Sequence, residues 1–211
     1  MTQTIGSEEL GRMLRTAAAK VRQAVPTLSQ LDSVIGDGDH GTTMDRAMGL
    51  IDKALDAAKG AAPKAVLNDV GWAVLGVDGG ASGPLLGMFF LGMSEAVGEG
   101  AAVDAKGVAA MFEGGLKSLQ QQTKAVVGDK TMMDALMPAV TALRGAADGG
   151  ASVAAAMAKA AEAAEVGAAS TKDLQARFGR ARNLGERSKG YQDPGATSLS
   201  LLLRGMADAL A

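Results

Sequence analysis

Apolar residues recur along this chain three and four positions apart, the period of a helix face turned toward a core. Leu10, Met13, Leu14, Ala17, Val21 and Ala24 form the first such stripe. Ser7 is placed to cap it, Glu8 and Glu9 complement the first turn, and Pro26 ends it. The spacing predicts a second helix from about Thr43 to Lys59. Pro63 suits the first turn of a third, whose stripe runs through Val66, Val70, Val74 and Val77. Pro84 opens the next, "LLGMFFLGMSEAV", and Asp104 caps a segment with Val108, Met111, Phe112 and Leu119. Thr131 and Asp134 fit a capping box before "ALMPAVTALRGAA", with Pro138 either kinking that helix or lying in its first turns. "SVAAAMAKAAEAAE" is a strong intrinsic helix former, and "ATSLSLLLRGMADALA" reads as the last helix.

Strand signals are nearly absent: no run of about 4–8 residues combines β-branched or aromatic side chains with a two-residue period. The expectation is an all-α chain of about eight helices in an antiparallel bundle or barrel, with residues 1–211 as one domain. Gly92, Gly107, Gly114 and Gly115 fall inside helical patterns and predict close helix–helix approach. One stretch does not read as helix. "ARFGRARNLGERSKGYQDPG", Ala176 to Gly195, carries Arg177, Arg180, Arg182, Arg187 and Lys189 among glycines, and a loop that long inside a compact domain is usually functional or disordered.

Composition narrows the chemistry. The 211 residues are 47% hydrophobic and 21% charged with a formal net charge of −2, so nothing favours nucleic acid or an anionic membrane. Cysteine is absent, which excludes disulfides and thiolate metal sites. "MTQTIGSEEL" has neither a basic n-region nor an apolar h-region, and "PLLGMFFLGM" falls short of the roughly 20 residues a membrane span requires. A cytoplasmic location is expected.

Four stretches carry candidate chemistry. "IGDGDHGTTM" contains Gly36-x-Gly38-x-x-Gly41, the literal dinucleotide fingerprint, but "PTLSQLDSV" before it is not a buried strand, so the βαβ context is missing. An EF-hand fails too, because from Asp37 the fifth position is Gly41 and the twelfth is Met48. What remains is a cluster of carboxylates, Asp32, Asp37 and Asp39, which repel one another unless a cation joins them. Mg²⁺ prefers such oxygens together with phosphate oxygens. The alternative is a solvated Asp/Gly turn between two helices. "DGGASGPLLGMFF" pairs free backbone at Gly79, Gly80 and Gly83 with the Ser82 hydroxyl at a helix start, where outward N–H groups favour an anion. A plain helix cap is the bland reading of the same residues. "GDKTMMDAL" is not a Walker A loop, and "YQDPGATS" is another Gly/Pro turn entering a helix, with Asp193 as cap or ligand contact. The sole histidine, His40, stands next to Asp39, where it could meet a phosphate or a metal-bound water.

In this order the stretches "LDSVIGDGDHGTTM", "GGASGPLLG", "GDKTMMDAL" and "GRARNLGERSKGYQDPGATS" resemble the L subunit of dihydroxyacetone kinases, over essentially the whole chain. The resemblance implies an eight-helix antiparallel barrel holding ADP or ATP at one end. It implies that Asp32, Asp37 and Asp39 bind two Mg²⁺ ions, and that His40, Gly41, Thr42 and Thr43 continue onto the nucleotide. Ala81 and Ser82 match phosphate contacts, and Met132 matches a contact beside the adenine. Arg180 and the turn Asp193, Pro194, Gly195 match the closing side of the pocket. Thr123 stands where some relatives carry glycine. A separate K subunit would hold dihydroxyacetone, or a similar ketose such as erythrulose, on its own histidine. The donor would be either free ATP or a phosphohistidine protein of the sugar phosphotransferase system acting through bound ADP. A nucleotide-dependent regulatory module without phosphoryl transfer is the alternative.

Overall fold

The computed structural model describes residues 3–211, and among them nine α-helices account for most of the chain. They are α1 (Ser7–Gln23), α2 (Val25–Ile35), α3 (His40–Ala57), α4 (Pro63–Leu75), α5 (Ser82–Ala96), α6 (Ala105–Gln122), α7 (Met133–Asp148), α8 (Val153–Ser170) and α9 (Pro194–Asp208). Eight of these close a ring. Each of α3 to α8 packs on the next in sequence, α8 packs on α9, α9 on α1, and α1 on α3. The starts of α3, α5, α7 and α9 meet at one end of the barrel, where all four line the same cavity. The ninth helix, α2, packs mainly on α3 and α9.

One continuous apolar cluster fills the ring, from Leu10, Met13 and Leu14 of α1 to Leu202, Leu203 and Met206 of α9. Phe89, Phe90 and Phe112 are fully buried, and the Phe89 ring lies 5.7 Å from each of the other two. Small residues set the helix spacing. At Gly92 an added Cβ would overlap the Gly114 carbonyl, and at Gly115 it would overlap the Phe89 ring, so α5 and α6 touch through backbone. Gly107 differs from expectation, since its neighbour is the Val103 side chain in the segment preceding α6 rather than another helix.

The expected elements are present with shifted ends. The first helix stops at Gln23, and Pro26 belongs to the first turn of α2 instead of ending α1. The helix expected from Thr43 begins at His40. Asp104 does cap α6, accepting from Gly107 N–H at 2.8 Å. Pro138 lies inside α7. A two-residue antiparallel pair, β1 (Thr4–Ile5) with β2 (Val103–Asp104), is the sole strand pairing among the described residues. The basic stretch contains a 3-10 segment, Arg180–Ser188, broken at Gly185. No helix among the described residues is long and apolar enough to cross a membrane.

Candidate functional site

At the end of the barrel where α3, α5, α7 and α9 begin, their first residues, His40, Ser82, Met133 and Pro194, line one cavity of about 590 Å³. Four helix N-termini therefore face a shared space, each the positive end of its dipole, with side chains already accepting from first-turn N–H groups of α3, α7 and α9. Such a cavity attracts an anion, while one of its corners is acidic.

Asp32 comes from the last turn of α2 and is 8% exposed. Its Oδ2 accepts from the His40 N–H at 3.0 Å, joining the end of α2 to the start of α3. A side chain at Gly36 would collide with the Asp32 carboxylate, so only glycine fits beside it. Asp37 and Asp39 stand in the connecting turn, whose reversal Gly38 makes at φ 82°. One carboxylate oxygen from each of the three lies within 4.8 Å of the others. That all-oxygen, triply charged donor set fits a hard divalent cation such as Mg²⁺. Arg180 reaches the same corner, donating from Nη1 to Asp37 Oδ1 at 2.5 Å with Asp39 Oδ1 at 3.9 Å.

A neighbouring wall is the glycine-rich turn, whose Gly80 approaches the same Arg180 guanidinium. Gly79 and Gly80 have φ of 122° and 60°, conformations side chains disfavour, and a Cβ on Gly79 would overlap the Thr43 hydroxyl. His40 lies between this turn and α9. Its Nδ1 is 3.2 Å from Ser82 Oγ and its Nε2 is 3.0 Å from Ser198 Oγ. Burial lowers the His40 pKa, against the pull of Asp32 and Asp39.

The remaining side is built by the segment before α7. Asp134 accepts from Gly128 N–H at 2.6 Å and from Thr131 N–H at 2.7 Å, while Met133 N–H donates to Thr131 Oγ1 at 3.2 Å. Lys130, 1% exposed and at φ 60°, donates to the carbonyls of Thr171, at 2.5 Å, and Tyr191. Desolvation depresses its pKa, opposed by Asp193, Asp134 and Asp173. Burial pushes the Asp193 carboxyl up to about 7, against the Ala196 N–H that it caps at 2.7 Å and the Lys130 charge.

Residues 34–208 match the DAK2 domain. The chain belongs to the DAK2 family, as a dihydroxyacetone kinase L-subunit type. It is 40% identical over 195 residues to the ADP-binding subunit DhaL of PEP-dependent dihydroxyacetone kinase 1 from Listeria innocua, covering 92% of each chain. To the corresponding Escherichia coli subunit it is 39% identical over 180 residues, covering 85% of this chain and 86% of that one. Its fold superposes on the dihydroxyacetone kinase of C. freundii in complex with AMP-PNP and Mg²⁺ with a TM-score of 0.74 at 26% identity. That match takes in 99% of this chain but spans only 35% of the longer C. freundii chain. These relatives are kinases.

Within this DAK2 domain the residues singled out from sequence are unequally placed. His40, Ala81, Ser82, Thr123, Met132, Arg180, Asp193, Pro194, Gly195, Asp32 and Asp39 line the cavity, and Asp37 sits at its acidic rim. Gly41, Thr42 and Thr43 lie behind it. Gly41 packs against Ser29 and Val25 of α2, Thr42 Oγ1 donates to the Asp39 carbonyl at 2.8 Å, and Thr43 is buried under Gly79 with its hydroxyl unpaired. Sequence reasoning passed over Lys130, Phe178 and Gln122, which also line the space.

The basic stretch is tied down at both ends. Ser188 Oγ accepts from Ala176 N–H at 2.9 Å, Gly190 N–H donates to the Lys172 carbonyl at 2.8 Å, and Asp193 N–H donates to Thr171 Oγ1 at 2.9 Å. Gly179 and Gly185, at φ of 64° and 56°, bound the piece between these ties, which Arg180 joins to Asp37. Amide exchange slowed by Mg²⁺-ADP is therefore expected at residues 178–185 and not at the pinned flanks. Unchanged exchange there under saturating nucleotide would contradict a closing role for this segment.

Proposed function

We propose that this chain is the nucleotide-bearing subunit of a two-subunit dihydroxyacetone kinase. It would pass a phosphoryl group to dihydroxyacetone, or a similar short ketose, held on a separate K subunit. The observation that carries this is the convergence of three carboxylates and four helix N-termini on one cavity. A magnesium polyphosphate is the ligand whose charges answer both.

Asp32, Asp37 and Asp39 would hold two Mg²⁺ ions, which neutralise phosphate charge during transfer. The start of α5, from Ala81 and Ser82, offers main-chain N–H groups to the phosphates. Arg180 exchanges its partner, leaving Asp37 for a phosphate oxygen, and so closes the 178–185 segment over the nucleotide. Met132, on the cavity wall, receives the base. Both His40 ring nitrogens are engaged by serine hydroxyls, so His40 positions its neighbours and takes no phosphoryl group itself. Activation of the ketose hydroxyl falls to the partner subunit.

Two donors are compatible with this site. The Listeria and E. coli relatives named above are PEP-dependent, ADP-binding subunits, which supports ADP retained as a coenzyme and recharged by a phosphohistidine protein. Free ATP is the second reading. The purified protein decides between them, because ADP that stays bound through gel filtration and does not exchange with labelled ADP belongs to the first. On either reading the isolated chain is expected to form no dihydroxyacetone phosphate from ATP or a phosphoryl-donor protein, and a K subunit is expected to restore the reaction. Robust turnover by the chain alone would show that it is not half of an enzyme.

A further inference from the structure

His40 is the chain's sole histidine, and its two ring nitrogens meet two hydroxyls from different helices. A hydroxyl has one proton to give, so the direction of each bond follows from where that proton goes. Ser198, in the second turn of α9, is 3% exposed. Its Oγ donates to the Gly195 carbonyl at 3.1 Å. With that proton committed, Ser198 faces His40 Nε2 as an acceptor, and Nε2 must carry the hydrogen. In a neutral ring Nδ1 is then a bare lone pair, and the 3.2 Å contact is completed only by the Ser82 hydroxyl proton.

We propose that Ser198 is a positioning residue that fixes His40 as its Nε2–H tautomer and thereby turns the Ser82 hydroxyl proton away from the nucleotide. The order of donation runs from His40 Nε2–H to Ser198, from Ser198 to the Gly195 carbonyl, and from Ser82 to His40 Nδ1. Ser82 then meets a phosphate through its main-chain N–H, since its hydroxyl has no proton left to give. The chain of bonds also locks the glycine-rich turn to the start of α9, across the cavity. This inference rests on the nucleotide-site reading, but its structural core concerns the ligand-free protein.

The test uses the full chain labelled with ¹⁵N, whose single imidazole gives an unambiguous long-range ¹H–¹⁵N pattern. The wild type is expected to show the Nε2–H tautomer at neutral pH. Ser198→Ala is expected to populate a second ring state and to weaken Mg²⁺-ADP binding about tenfold, the order of one buried hydrogen bond. Ser198→Thr keeps the oxygen, and the void of about 20 Å³ beside it can take the methyl, so it should restore both readouts. A residue that only packs would lower stability and move neither. An Nδ1–H ring or an imidazolium in the wild type overturns the proposal, as does a Ser198→Ala protein with unchanged ring signals and affinity. If the wild type failed to bind Mg²⁺-ADP, the functional reading would fall, while the tautomer would still be read in the free protein.

Discussion

Asp39→Asn is expected to abolish Mg²⁺-dependent nucleotide binding and to leave the helices intact. The Asp39 side chain is 43% exposed and that of Asp37 39%, so neither is needed to fill the core. Their oxygens lie within 4.8 Å of each other and of Asp32, a crowding of like charge that a cation resolves. Removing one charge relieves repulsion in the free protein and, on the proposed metal assignment, would remove a ligand in the complex, so stability and binding should part company. Loss of a neighbour that merely orients a ligand lowers metal affinity about 10–100-fold, and loss of a ligand itself should reach the upper end or beyond. Asp37→Asn is expected to behave alike. Asp32→Asn is less clean, because Asp32 also holds the His40 N–H. Calorimetry with Mg²⁺-ADP, beside circular dichroism, checks this, and near-normal affinity in either rim variant would remove the metal assignment.

Lys130→Met is expected to lower unfolding stability by about 2–6 kcal/mol, the cost of leaving two carbonyls without their buried donor. The ammonium is the hydrogen-bond donor to the Thr171 and Tyr191 carbonyls, and Asp193 beside it loses its counter-charge. Each carbonyl left dry costs about 1–3 kcal/mol. Methionine fills the space but satisfies neither. The two carbonyls flank the turn into α9, so nucleotide binding should weaken even under conditions where the variant is folded. Lys130→Arg should not rescue, since a guanidinium does not fit a site 1% exposed. Urea unfolding measures the first effect, and a loss below about 1 kcal/mol would show that the lysine is no keystone of this loop.

The barrel was legible because its helices carry clean apolar stripes and capping residues. Helix α2 was not, and the reason is chemical. Its buried stripe runs Leu28, Asp32, Ile35, with a carboxylate in the middle position, and Pro26 reads equally as an end or a beginning. The same anomaly was the signal: an acidic residue on the inward face of a helix is there for a partner. Lys130 lay inside a stretch already singled out, yet its burial depends on carbonyls 41 and 61 residues away in sequence, which no local pattern reports. The basic stretch was identified as irregular, but its pinned ends rest on single hydroxyls, those of Ser188 and Thr171, that look like any others in the sequence. Gly41 and Thr43, which the family resemblance puts in the loop that continues onto the nucleotide, are also packed tightly against α2 and Gly79, through contacts that no local pattern reports.

The central claim is that one cavity holds a magnesium polyphosphate between the aspartates and the helix starts. A crystal structure of this protein with AMP-PNP and Mg²⁺ tests it most directly. The account predicts metal density on Asp32, Asp37 and Asp39, phosphates against the turn from Gly79 to Ser82, and the base beside Met132. Metal density away from the three carboxylates, or a nucleotide bound outside this cavity, would contradict it.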